Sequence, residues 1–439
     1  MSMDPSIGDF TQADVLIEGK TIVAIGPHLE TGDAQEIDAR GRIVMPGFID
    51  THHHQFETAL RSFLADGLLF NDGKPHGAVN YFEYILGKFA PVYRPQDVYI
   101  STLFGSLSQL DAGVTTVHDI SQIHHSPEHS DASIAALVES GRRAAFGYFE
   151  GRAGSDAYPN DARRIARQYF ASADQLLSMT MGGEIYLPGY EAAWAIGREI
   201  GIPIAAHIVG SFGMRAELDK LAAAEAIGPD NLFIHMTGMS DLAWQKTKDA
   251  GAGVSLSVPI EANMRHGMPP LLKALSLGIL PSLSTDVECT LTADFFTQMR
   301  TTLALQRAMV NESALETGNP DDLPELLTTR DVLGFATLQG AKDLKLDAKV
   351  GSLVPGKEAD ILILDATAIN VAPLNHVPGA VVSLMERTNV ETVIVAGRIR
   401  KWGGQLLNVD LTRLRLELEA SRDYLFDAAG IPQDLFRAN

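Results

Sequence analysis

Residues able to bind a metal or move a proton recur at the ends of short apolar runs: His52, His53 and His54, then His118 with Asp119, then His207, His235 and Asp286. An H-x-H pair on a strand has a physical meaning. Side chains alternate faces, so His52 and His54 point one way and could grip one cation, whereas His53 points the other. By the same alternation Asp50 shares the face of His52 and His54, and Ile49 and Thr51 share that of His53. Further candidates surround this set. Gln55 is placed to hydrogen-bond a substrate or to cap the strand end. His118 is a candidate pocket wall, and Glu261, followed by His266, is a candidate for binding a substrate amine or a solvated loop carboxylate. His124, His125 and His129 sit in a Ser/Pro loop and read as structural. A GxSxG elbow, a P-loop and a dinucleotide fingerprint are all missing.

The elements that must position these residues are legible as alternating strands and helices. Apolar pieces recur at residues 48–54, 114–119, 144–149, 179–184, 202–207, 231–235, 253–257 and 280–286. Helical spacing lies between them, as in Ile100, Leu103, Phe104 and Leu107. Eight strand–helix units predict an α/β fold, a (β/α)8 TIM barrel whose active site gathers at the C-terminal strand ends. Short β-rich pieces at residues 13–48 and again at 360–397 predict a small β-sandwich assembled from both chain termini. The expected layout is residues 1–48 and 347–405 for the sandwich, 49–346 for the metal-dependent barrel, and 406–439 for a C-terminal helical tail. Residues 57–96 form an overlong connection rich in Phe and Tyr, read as a cap over the barrel mouth or as a satellite packed outside it.

Composition narrows the function classes. The 439 residues carry 35 Lys and Arg against 55 Asp and Glu, a net charge of −20. No basic patch offsets it, so neither nucleic acid nor an anionic membrane surface is an expected partner. The single cysteine, Cys289, excludes an intrachain disulfide and a cysteine-built zinc site. Residues 1–12 contain no apolar core and no run is long enough to span a membrane, so a cytoplasmic protein is expected.

The order and spacing of several segments carry a resemblance. Residues 44–54, Val-Met-Pro-Gly-Phe-Ile-Asp-Thr-His-His-His, resemble the opening barrel strand of the amidohydrolase superfamily, whose pattern is PGfxDxHxH. Residues 351–361, the helix around 336–341 and Ala396-Gly397-Arg398 are similar to that superfamily's closing segments. The branch most like this chain holds chlorohydrolases and deaminases of the cytosine, guanine and adenosine type. The resemblance implies His52, His54 and His207 as metal ligands, Asp286 as ligand and proton acceptor, and His235 as a catalytic hydrogen-bonding residue. Three imidazoles and a carboxylate suit Zn, and less well Fe(II), over Mg or Ca. It also implies a small-molecule substrate and allows a homo-oligomer.

The chain departs from the pattern twice. Deaminases of this branch place a proton-shuttling glutamate three residues after the fifth-strand histidine, where this chain has Gly210, and Glu261 is the candidate to replace that shuttle. Binuclear members bridge their metals with a fourth-strand lysine or glutamate. Residues 175–186 have no lysine, and only Glu184 is available. One divalent ion per chain is therefore expected. The implied reaction is hydrolysis of a non-peptide C–N bond (amide, urea, carbamate or amidine type) by metal-activated water. The alternatives are an aminohydrolase or dechlorinase of a heteroaromatic ring and, from another class, a non-catalytic metal-binding barrel scaffold.

Overall fold

The computed structural model describes residues 1–151, 158–319 and 323–433. Near the N-terminus, β1 (Asp14–Glu18) and β2 (Thr21–Gly26) form an antiparallel hairpin, and β3 (Arg42–Pro46) leads toward the barrel. The next eight strands are β4 (Phe48–His53), β5 (Val114–Ser121), β6 (Arg143–Tyr148), β7 (Leu177–Gly182), β8 (Ile204–Val209), β9 (Asn231–Thr237), β10 (Gly253–Leu256) and β11 (Ser282–Leu283). They pair in sequence order, all parallel. The last meets the first through a bridge between His53 and Asp286. There the Asp286 N–H donates to the His52 carbonyl at 2.9 Å and the His54 N–H to the Asp286 carbonyl at 2.9 Å. The eight-unit barrel expected from the apolar spacing is thus present and closed, and its seam runs through three of the candidate site residues.

The other sheet joins the two ends of the chain, as expected. β12 (Ile361–Asp365), β13 (Val390–Val395), β14 (Arg398–Trp402) and β15 (Gln405–Leu406) continue antiparallel from β3. Gly47, between β3 and β4, is obligatory for packing, because a Cβ there would lie 2.1 Å from Thr115 Oγ1. Arg143 ties sheet to barrel, reaching Asp360 at 3.0 Å and Glu358 at 2.6 Å.

Inside the barrel Ile49, Ile120, Phe149, Ala205, Leu232 and Ile234 fill the base, closed from below by Ala341, Leu344 and Leu346. Outside it, α1 (Pro95–Asp111) and the C-terminal helix Leu411–Ala429 enclose an apolar cluster with residues of the 57–96 connection. Phe63, Phe89 and Phe426 pack ring to ring there, with centroids 5.0–5.4 Å apart. Both readings of that connection hold: one side anchors on these helices and the other covers the barrel mouth. The tail's last positions, 434–439, lie outside the described residues.

One expectation about β4 is corrected. Its register against β5 runs from Asp50↔Val117 to His53↔Asp119, three residues against two. This irregularity reverses the alternation. Thr51 points inward to Ser255 and Ser282, and His52 points inward as well. Asp50 points outward to Gln109 of α1, so it does not share a face with His52 and His54, and His53 turns to Thr285.

Candidate active site

The inward residues at the strand ends converge. Asp286 Oδ1 lies 3.0 Å from His52 Nε2 and 3.7 Å from His54 Nε2, and Oδ2 lies 3.6 Å from His235 Nε2. Three donor triads each hold their ligand atoms within 4.8 Å: His52, His54 and Asp286; His52, His207 and His235; His235, His266 and Asp286. Backbone geometry marks the same places. His235 has φ +75° and Asp286 φ +63°, in the left-handed region that non-glycine residues rarely adopt. In β9 the register slips just after His235, where Met236 is passed over, and Ile234 and His235 both reach the interior.

Electrostatics favour the metal-binding form of these rings. Burial, then the neighbouring imidazoles of His207 and His235, holds His52 well below the ordinary histidine range; burial, then His52 and His207, does the same for His54. Neutral imidazole is the ligating form, so the cluster is charged correctly for a divalent cation. His207 differs. Burial works against its charged form, but Glu184 outweighs it and the net shift is upward. His207 Nδ1 lies 2.5 Å from Glu184 Oε1, and its backbone N–H donates to Oε2 at 3.2 Å. A carboxylate on the far nitrogen fixes the ring and leaves Nε2 for the centre, as is usual around metal-bound histidine. Glu184, the conceivable bridging ligand, is engaged in that role.

Four candidates for substrate contact separate in space. His266 lines the cavity beside His235, ring centroids 4.7 Å apart, with both ring nitrogens buried and unpartnered. Glu261 does not reach the cavity. It is fully buried behind His235, with Oε1 3.0 Å from Nδ1 and accepting the Ser257 N–H at 2.9 Å. Neither a solvated loop carboxylate nor a direct substrate contact is what the structure holds there. Gln55 is likewise a correction, since its side chain turns into the barrel–α1 layer, where Oε1 accepts from Ser106 at 2.8 Å. His118 is buried in the barrel beneath the site, Nδ1 2.9 Å from the Thr51 carbonyl and Nε2 2.7 Å from Thr180 Oγ1. It is no pocket wall, because the strand continues past it to Ser121. His124 bonds Ser130 and the Ser121 carbonyl, and His125 and His129 bond carbonyls of Ala90 and Tyr93.

Gly210 is a packing constraint as well as a missing glutamate. A Cβ there would stand 2.8 Å from the Thr237 carbonyl oxygen and 3.2 Å from Gly238 Cα. The backbone of the β9 end occupies the space through which a side chain would leave.

Above the centre lies a half-open cavity of about 50 Å³. Tyr81, Phe82 and Leu86 come to it from the 57–96 connection, Phe212 from the turn after β8, and Gln122 from the end of β5. Gln122 was not singled out from sequence, and Tyr81 only as part of the 57–96 connection. Gln122 could have been, as the polar residue next after β5, and Tyr81 belongs to the Phe- and Tyr-rich connection expected to cap the mouth, although its individual place there was not foreseen.

The family model for the amidohydrolase family matches residues 43–400. A 5'-deoxyadenosine deaminase of Methanosarcina mazei is 26% identical, over 97% of this chain and 96% of its own. Two zinc-bound crystal structures share the fold. An adenosine deaminase from Xanthomonas campestris superposes with a TM-score of 0.84 at 21% identity, covering 97% of each chain. A variant of an atrazine chlorohydrolase from Arthrobacter aurescens, complexed with zinc and atraton, gives 0.82 at 18% identity, covering 96% of this chain and 97% of its own.

Proposed function

Because the chain belongs to the amidohydrolase family, we propose that it hydrolyses an amide-, urea-, carbamate- or amidine-type C–N bond of a small molecule. The broad class, a metal-dependent hydrolase of non-peptide C–N bonds, goes with the family; the bond type rests on the site. We assign His52, His54, His207 and Asp286 to one divalent ion, zinc by the donor set. One ion is favoured because Glu184, the bridging candidate, is spent on His207 Nδ1. Bound there, the ion supplies a Lewis acid and makes water nucleophilic near neutral pH.

The chain's own groups do the rest. Asp286 accepts the attacking water's proton. His235 Nε2, facing the cavity, holds the charge that develops on the attacked group. Its partner sets what it can do: burial raises the Glu261 carboxyl well above the carboxylate range and lowers His235 to about 4, so the pair shares one proton. With the proton on Glu261, the carboxyl O–H donates to Nδ1 and Nε2–H is a donor. When Nε2–H passes to the leaving nitrogen, the Glu261 proton moves to Nδ1, and Nε2 is then an acceptor. Either Asp286 or this pair returns a proton to the leaving nitrogen, and Glu261 acts only through His235. The observation that carries the reading is this buried dyad beside a position, Gly210, with no room for the deaminase glutamate.

A second reading is an aminohydrolase of a heteroaromatic ring, favoured by the deaminase activity named for the Methanosarcina relative. The test is metal analysis of the purified protein, followed by chelation and zinc readdition on amides, ureas and aminoheterocycles. About one zinc per chain with amine release from amides or ureas is expected. Ammonia release from the heterocycles alone would establish the second reading. Two ions per chain would overturn the single-ion assignment and turn the triad of His235, His266 and Asp286 into a second site.

A further inference from the structure

The cavity wall specifies a substrate class narrower than its reaction type, and the inference rests on the hydrolytic reading above. The apolar part of the lining includes Leu69, Phe82, Leu86, Phe212, Met264 and Val287, with the ring of Tyr81, while Tyr186, Gln122 and His266 bring polar atoms to it. The Tyr81 hydroxyl is turned away, donating to Glu57 at 2.6 Å. Phe212 packs against Phe70, Phe82 and Tyr186 with centroids 4.3–5.1 Å apart, so an aromatic wall built from three loops closes one side of the mouth. Among the described residues, Asp286 is the only Asp, Glu, Lys or Arg that lines the space. Among the lining residues other than the assigned ligands, the buried polar atoms without a partner are both ring nitrogens of His266, beside His235, and Oε1 of Gln122, in a side chain only 6% exposed.

A buried carbonyl oxygen without a donor costs free energy until a ligand satisfies it. A charged group, or a sugar presenting several hydroxyls, would be desolvated here with too few partners to replace water. We propose that the substrate is an uncharged molecule with an aromatic or branched apolar group seated against the Phe212 wall and one N–H donating to Gln122 Oε1. N-aryl carboxamides, N-aryl ureas and alkylamino-heteroarenes fit this description, and nucleosides and charged amides do not. Gln122 is then a specificity-determining residue.

The test uses full-length, zinc-loaded protein with an N-aryl urea, an N-aryl carboxamide, 5'-deoxyadenosine and a carboxylate-bearing amide. Turnover and ligand-induced shifts in melting temperature are both recorded. Neutral aryl compounds should be the ones bound and turned over. Gln122→Met, near-isosteric, should raise their KM at least about five-fold, the effect of leaving one N–H unpaired, with a smaller change in kcat. Gln122→Leu serves as the second variant should the first fold poorly. An N-methylated analogue lacking the N–H should be insensitive to either substitution. Preferred turnover of the nucleoside or the charged amide would overturn the substrate class while leaving the reaction type standing. Gln122-dependent binding of neutral aryl compounds without hydrolysis would support the pocket assignment and count against the reaction. Absence of both binding and turnover for every neutral member, or KM values unmoved by both variants, would overturn the proposal.

Discussion

Asp286 lies within reach of His52, His54 and His235 at once, and its φ of +63° is the conformation that makes this reach possible from the barrel seam. Asparagine keeps the shape and removes the proton acceptor, so Asp286→Asn should fold normally and lower kcat by at least about 10²-fold, the low end of general acid–base contributions. Steady-state kinetics with circular dichroism check this; retained activity would move the base role to the His235–Glu261 pair. Gly210 supports the opposite kind of prediction. If only a glutamate were missing, Gly210→Glu would install ammonia release. The Thr237 carbonyl at 2.8 Å predicts a protein destabilised by about 1–3 kcal/mol, typical of overpacking, with no gained deaminase activity. Denaturant unfolding and an ammonia assay on aminopurines measure the two halves.

At the scale of elements, the short helix Gly340–Asp343 and the residues after it close the barrel base, and Asp343 is buried against β11 and Gln339. Burial, opposed by hydrogen bonds from Ser282 and Gln339, pushes its carboxyl up to about 7 from an ordinary 3.8. Below about pH 4 the group is protonated folded or unfolded and costs nothing. Between pH 4 and 7 the unfolded chain releases the proton while the folded chain keeps it, so stability falls as pH rises through that window and then levels. Asp343→Asn has no such proton to lose. The melting temperature of the variant should therefore gain on the wild type between pH 5 and pH 8. A difference that stays constant across that range would mean that Asp343 titrates normally.

At the scale of the whole molecule, metal binding and stability are one equilibrium. The donors come from β4, β8 and the turn after β11, parts of the barrel far apart in the chain that only the folded state brings together. An ion that binds only the folded state stabilises it by about 2.7 kcal/mol at a hundred times its Kd. Chelated protein should melt lower and zinc should restore it, a scanning-calorimetry measurement. His207→Ala should bind less metal, lose turnover and show little zinc-dependent shift. A normal shift in that variant would sink the ligand assignment. Across the described residues, no helix is long and apolar enough to cross a membrane.

Residue order alone determined the eight-unit barrel, the sheet drawn from both termini and the positions of the five converging residues, because strand and helix periods and local motifs are short-range properties. It also exposed the glycine at position 210. Where side chains point was decided elsewhere. The β4 irregularity that turns Asp50 outward, the capture of Gln55 by α1 and the burial of Glu261 behind His235 all depend on register between strands distant in sequence. The aromatic wall and the unpaired Gln122 oxygen likewise exist only once three separate loops meet. Patterning specifies which residues reach the strand ends; cross-strand register and packing decide which of them face a substrate, because a slip of one residue exchanges the two faces of a strand.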